Sequence, residues 1–218
     1  MTVEAHEAIA EVKLRALKKK LNEESWSEHM EEIMKMWGEK AAGLRFMHAN
    51  ASGYWTGLSN NLTMASIFIT TLASAASLVS TSIEGEYKNI ILYVVGAIGL
   101  MASLIQSLKK FYNAEEKAAE HSVIAKQFGS FYRFMTLQLG MERGDRLPSD
   151  QLSEWALKEY ERLQQDALPL GSEQINLYKK TFVNSKQSVP DVCEDEFIIN
   201  IYDINKKSTD SEDGYSNI

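Results

Sequence analysis

The sequence lacks the features that mark several protein classes. One cysteine in 218 residues, Cys193, excludes an internal disulfide. There is no basic excess: 23 Lys and Arg face 30 Asp and Glu, for a net charge of −7. The densest basic cluster, Lys18-Lys19-Lys20, is followed at once by Glu23-Glu24, so a nucleic-acid footprint is missing. No P-loop, no GxGxxG after a strand and no GxSxG is present. His6, His29, His48 and His121 do not pair at metal-ligand spacing, and Cys193 has no histidine near it. The glutamate pairs Glu23-Glu24, Glu31-Glu32 and Glu115-Glu116 read as exposed helix charges. These absences argue against an enzyme and leave no catalytic, cofactor-binding or metal residue to name. An apolar content of 44% is too high for a disordered chain.

Charge itself is absent from two stretches. Between Arg45 and Glu84 there is no Asp, Glu, Lys or Arg, and residues 89–108 hold none either. A mean hydropathy of −0.27 conceals this by averaging over charged flanks. The stretches imply spans at Leu62–Ile83 and Asn89–Leu108, of 22 and 20 residues. At 1.5 Å per residue these cover about 33 and 30 Å, against a hydrocarbon core of about 30 Å. Only residues 84–88 connect them, so the helices must be antiparallel neighbours. The competing reading is a helix pair buried in a soluble core. Residues 1–20 lack a continuous apolar core and carry three glutamates, so the first span is expected to act as an internal anchor.

Around the spans the pattern is helical. Residues 3–21 predict a weakly amphipathic helix with Ile9, Val12, Ala16 and Leu17 on one side, broken at Asn22-Glu23-Glu24. Ser25 with Glu28 fits a capping box. From there Trp26, Met30, Ile33, Trp37, Ala41, Leu44, His48, Ala51, Trp55 and Leu58 recur in steps of three or four, a seam that needs a partner. After the second span the same spacing links Phe111, Ala114, Ala118, His121, Ala125, Phe128, Phe131 and Met135, with Gly140 and Gly144 ending the helix. The two stalks are expected to pack together outside the bilayer, with His48 and His121 as packing histidines. Shorter helices follow Pro148, with Ser149 as N-cap, and run from Ser172 to Val183. Residues 186–218 carry three basic and eight acidic residues and predict a disordered tail, including Phe197–Tyr202. The domains are thus 1–24, an N-terminal helix; 25–185, a two-transmembrane helical domain; and 186–218, the tail. The fold class is all-α: a two-span hairpin extended into a cytoplasmic helical bundle.

Flanking charge predicts orientation. Arg45, Lys109, Lys110, Lys117 and Lys126 lie near the outer ends of the spans, against Lys88 in the connection. Both termini are expected in the cytoplasm.

Inside the spans polar residues fall on stripes. Thr63, Ser66, Thr70, Ala73, Ser77 and Ser80 step by three or four, with Ser74 beside them, and so do Gly96, Gly99, Ser103 and Gln106. Small residues let membrane helices approach, and hydroxyls bond across them. The candidate helix-packing or pore-lining residues are therefore Ser66, Thr70, Ser74, Ser77, Gly96, Gly99, Ser103 and Gln106. Two helices cannot enclose a pore, so a conduit requires an oligomer. Gln106 is the most costly of them to leave against lipid.

The layout of a long helix, two spans with a very short loop and another long helix resembles the SLATT family of two-transmembrane effectors. Trp37-Gly38-Glu39-Lys40-Ala41-Ala42 and Arg45-Phe46-Met47-His48 are similar to the juxtamembrane helix of members from large DNA viruses. Tyr112-Asn113-Ala114-Glu115-Glu116-Lys117-Ala118 with Phe128-Gly129 extends the likeness, which covers about residues 25–185. The resemblance implies a pore-forming or membrane-perturbing effector without catalytic residues. The expected partners are membrane lipid, further copies of the chain and a protein at the acidic tail. The alternative is a structural anchor or scaffold, in a virion or host membrane, that recruits partners through its bundle and tail.

Overall fold

A computed structural model describes residues 3–80, 87–194 and 196. Among them there is helix and no strand: α1 (Val3–Ser25), α2 (Glu28–Ser80), α3 (Lys88–Tyr112), α4 (Ala114–Gly140), α5 (Ser149–Asp166) and α6 (Ser172–Thr181), with 3₁₀ turns at Arg143–Asp145 and Asp191–Cys193. Helix α2 runs unbroken for 53 residues, about 80 Å. It packs first against α4 and then against α3, so the stalk and the hairpin share one strut. The expected all-α hairpin carried on into a bundle is the architecture found.

The stalk core is aromatic and methionine-rich. Met34, Ala41, Leu44 and Met47 of α2 meet Ile124, Phe128, Phe131 and Met135 of α4, and Leu152, Ala156, Tyr160 and Leu163 of α5 close the third side. The Trp155 ring stacks on Phe131 with centroids 5.6 Å apart, and Trp37 stacks on Tyr160 at 6.3 Å. The α2 seam is wider than its three-four stripe: Met34, Gly43 and Met47 are buried as well, because α5, α6 and the 191–193 turn cover a second face.

Several local expectations are corrected. Helix α2 is capped by Ser27, whose Oγ accepts the Met30 N–H at 3.1 Å. Ser25 ends α1 instead; its carbonyl accepts the Ser149 hydroxyl at 2.7 Å, so neither Ser25 nor Ser149 has its hydroxyl on its own helix N-terminus. Asn22 does not break α1. Its amide donates to the carbonyls of Arg143, Gly144 and Arg146, pinning α1 to the turn after α4. Beside it Glu31 accepts a two-pronged contact from Arg143, at 2.9 and 2.8 Å, and a third bond from Arg146. The Arg143 guanidinium, then Arg146, holds the Glu31 carboxyl at about 2, well below the usual range. Val12 and Leu17, on the apolar side of α1, are exposed.

The helix that follows Lys88 is not continuous. Asn113 sits in the left-handed region at φ 45°, separating α3 from α4. Asparagine tolerates that conformation better than most residues. The break resets the helical phase, and Phe111, placed on the stalk seam by its spacing, is exposed instead.

Residues 186–194, assigned to the tail from their charge, are docked. Lys40 pairs with Asp191 and Glu194, the latter at 2.9 Å, and the Ser188 N–H donates to Glu39 at 2.7 Å. Cys193 is buried with Sγ 3.6 Å from Met47 Sδ. Pro190 fills the space over Gly43, where an added Cβ would lie 2.4 Å from the proline ring. The expectation for Phe197–Tyr202 lies outside the described residues.

Candidate functional site

Two helices are long and apolar enough to cross a membrane. In the most apolar stretch of α2 no residue is buried, and in that following Lys88 only 6% are. Helices of a soluble core would be mostly covered. Here Phe68, Leu78, Tyr93 and Leu100 are each at least 70% exposed.

The two spans meet on a seam of alanine and branched aliphatic residues. Ala65, Ile69, Ala73, Ala76 and Ser80 on α2 and Ile91, Val95, Ile98, Ala102 and Ile105 on α3 are partly or fully covered, as are Leu62, Thr63, Ser66 and Gly99. The hydroxyls are not the glue of this seam. Thr70 donates to the Ser66 carbonyl at 2.7 Å, Ser74 to Thr70 at 2.9 Å and Ser80 to Ser77 at 2.7 Å, all within α2. Such back-bonding satisfies a hydroxyl inside its own helix and lets it face an apolar solvent.

The structure gathers six of the eight candidate residues along one flank of the hairpin. Thr70, Ser74, Ser77, Ser103 and Gln106 line an open groove of about 530 Å³. Ser66 and Gln106 line a second of about 390 Å³, together with Ser59, Lys109, Lys110, Asn113 and Glu115. Gln106 belongs to both, so a polar track runs from the charged residues at the Asn113 break down to Ser77. The Gln106 amide makes no hydrogen bond among the described residues and is exposed. Gly96 and Gly99 line neither groove. A Cβ at either would meet nothing within 4 Å, so they do not serve close approach of the two spans. They share the helical face of Ser103 and Gln106, and among the described residues no side chain packs closely over them. The glycine that does permit close packing is Gly43, in the stalk.

Sequence spacing missed a pairing in the stalk. His48 and His121, 73 residues apart, are both at least 96% buried with their Nδ1 atoms 2.9 Å apart. His48 stacks on Phe128 at 5.8 Å. Burial, reinforced by the neighbouring imidazole, lowers the His48 pKa to about 4. Burial also lowers that of His121, against a smaller opposing pull from Glu120. Their positions on facing stripes were the available signal; that both fall at the same height required the antiparallel register. No group of three or more His, Cys, Asp or Glu able to hold a metal occurs among the described residues.

Comparison with protein-family models, with curated proteins and with solved structures found no match.

Proposed function

We propose that this chain is a multi-pass membrane protein, with both termini on the cytoplasmic side, that assembles into homo-oligomers and permeabilises the bilayer. The observation that carries this reading is the polar groove on the outside of an otherwise apolar hairpin. Exposed apolar side chains ask for lipid, yet the Gln106 amide has no hydrogen-bond partner among the described residues, whereas the hydroxyls bond back to their own helix. Apposed grooves from neighbouring copies would give Gln106 a partner, or water, and would place Thr70, Ser74, Ser77 and Ser103 along a shared path. Five cationic residues flanking the outer ends of the spans, against Lys88 in the connection, support the orientation. The resemblance to the SLATT effectors, including members from large DNA viruses, points to the same class of activity.

Dye release from liposomes tests this. The purified chain is expected to release entrapped dye, and Ser74→Leu with Ser77→Leu and Ser103→Leu, which fill the groove, to abolish release while insertion persists. No release at high protein-to-lipid ratio, with insertion confirmed, overturns the permeability reading.

A second reading, an anchor or scaffold, is favoured by the docking of residues 186–194 on α2. That contact fixes the start of the acidic segment beside Lys40, on the rigid stalk. Loss of partner capture on deletion of residues 195–218, with unchanged membrane behaviour, would favour the scaffold.

A further inference from the structure

A cavity of about 530 Å³ opens between α2, α4 and the start of α6, apart from the hairpin grooves. Its walls are Ala51, Tyr54 and Trp55 on one side, Lys117 and His121 on another, and residues 168–174 on the third, where the apolar Leu168, Pro169 and Leu170 lead into the start of α6. Four features of this lining are hydrogen-bond donors or cations. The Lys117 Nζ lies 4.5 Å from the centre of the Trp55 ring, which holds the charge at the cavity wall. Helix α6 begins there with Gly171 at its N-cap and no side-chain cap; its first intrahelical bond, Ile175 N–H to the Gly171 carbonyl at 3.3 Å, leaves the N–H groups of Ser172, Glu173 and Gln174 without helical acceptors. Gln174 is 91% buried, lines the cavity and makes no hydrogen bond among the described residues. His121 is 96% buried with Nδ1 engaged by His48, so the only ring nitrogen it can offer the cavity is Nε2. The one carboxylate on the lining, Glu173, is on an exposed residue.

The histidine pair gives this donor set a direction. Two neutral imidazoles sharing an Nδ1–Nδ1 hydrogen bond have one proton between those atoms. If His48 donates it, His121 carries its own proton on Nε2 and presents a donor to the cavity; if His121 donates, its Nε2 is an acceptor. An anion in the cavity selects the first arrangement. His48 then acts from outside the cavity as the residue that fixes the His121 tautomer.

We propose that this cavity binds the phosphate group of a phosphomonoester or phosphodiester, held by Lys117, the His121 Nε2–H, the Gln174 amide and the N-terminus of α6, with Tyr54 and Trp55 against the remainder of the ligand. The group has two possible sources. Trp55 lies seven residues before the first span, about 10 Å along α2, within reach of a lipid headgroup in the adjacent leaflet if the hairpin spans the bilayer. A soluble phosphate ester would enter from the water side. The site does not depend on whether the hairpin conducts.

The test uses the full chain in two settings. In uncharged detergent micelles, inorganic phosphate is titrated by calorimetry, and the tautomer of His121 is followed by long-range ¹H–¹⁵N imidazole correlations. In phosphatidylcholine nanodiscs, with and without phosphatidic acid, the same titration is repeated. Saturable phosphate binding that fixes His121 as the Nε2–H tautomer, weakened at least tenfold by Lys117→Gln and unchanged by Lys158→Gln, supports the site. Lys158 is a control on the exposed face of α5, paired with Glu154. Phosphate binding blocked by phosphatidic acid, or preferential retention of phosphatidic acid that Lys117→Gln removes, assigns the site to a headgroup; phosphate binding indifferent to that lipid assigns it to a soluble ester. Absence of both phosphate binding and phosphatidic acid retention, or a Lys117→Gln protein that binds as the wild type does, overturns the proposal.

Discussion

Helix α2 passes through two regions built by opposite rules. In the stalk, residues 28–58 bury methionine, alanine and glycine against three neighbouring elements and expose charge. In the hairpin, residues 62–80 expose phenylalanine, leucine and valine and cover alanine. The backbone and the three-four spacing are the same in both, so the difference lies in the surroundings of the helix. Where water is the solvent, apolar area is stabilising only once covered. Where apolar side chains stand uncovered along such a stretch, lipid is the solvent the proposed function supplies, and small-residue seams would replace the hydrophobic effect.

The largest test of this contrast compares two phenylalanines. Phe128 is fully buried in the stalk, whereas Phe68 is 70% exposed on the hairpin. Phe128→Ala is expected to destabilise the stalk by about 3–5 kcal/mol. Phe68→Ala removes no protein contact of that kind and is expected to change stability by less than about 0.5 kcal/mol. Denaturant unfolding in micelles, read by stalk tryptophan fluorescence, measures both. Equal losses would erase the distinction between the regions.

Acid should strike one region and spare the other. His48 has its pKa lowered from 6.5 to about 4, so the folded stalk refuses a proton that the unfolded chain accepts. Its contribution is fully present above about pH 6.5 and is lost as pH falls toward 4, a change on the order of 3 kcal/mol. The shift at His121 acts in the same direction. Glu31, held at about 2, adds a second loss only below about pH 4.5. Unfolding midpoints recorded between pH 7 and 4 should therefore fall for the stalk, and His48→Gln should flatten the upper part of that fall. A pH-independent midpoint in the wild type would contradict the buried neutral pair.

A smaller effect distinguishes the glycines of the two regions. Gly43→Ala sets a Cβ against the Pro190 ring and is expected to cost about 1–3 kcal/mol and to release residues 186–194. Release is measurable as thiol labelling of Cys193, which is buried in the native fold. Gly96→Ala, with open space around it, should leave the isolated hairpin unchanged.

The two long apolar helices, the stalk seams and the short helices were legible because each rests on local periodicity or on a run without charge. The features that escaped depended on distant partners. Ser25 has the spacing of a cap, but its backbone carbonyl and hydroxyl serve residue Ser149, and the cap passed to Ser27. The Asn113 break has no proline or glycine beside it to announce it. The docking of residues 186–194 relies on Pro190 meeting Gly43 across nearly 150 positions, and an acidic composition alone concealed it. Within the candidate site the spacing grouped Ser66, Thr70, Ser74, Ser77, Ser103 and Gln106, and the structure sets these along one flank. Their role was less legible, because spacing cannot tell a hydroxyl bonded to its own helix from one reaching across a seam.

Alkaline carbonate extraction of membranes from cells making the full chain tests the central claim most directly. Lipid as the solvent of the hairpin predicts that the protein stays in the sedimented membrane after extraction and enters the supernatant only with detergent. A protein recovered in the carbonate supernatant would contradict the account, and the exposed apolar faces would then require a protein partner.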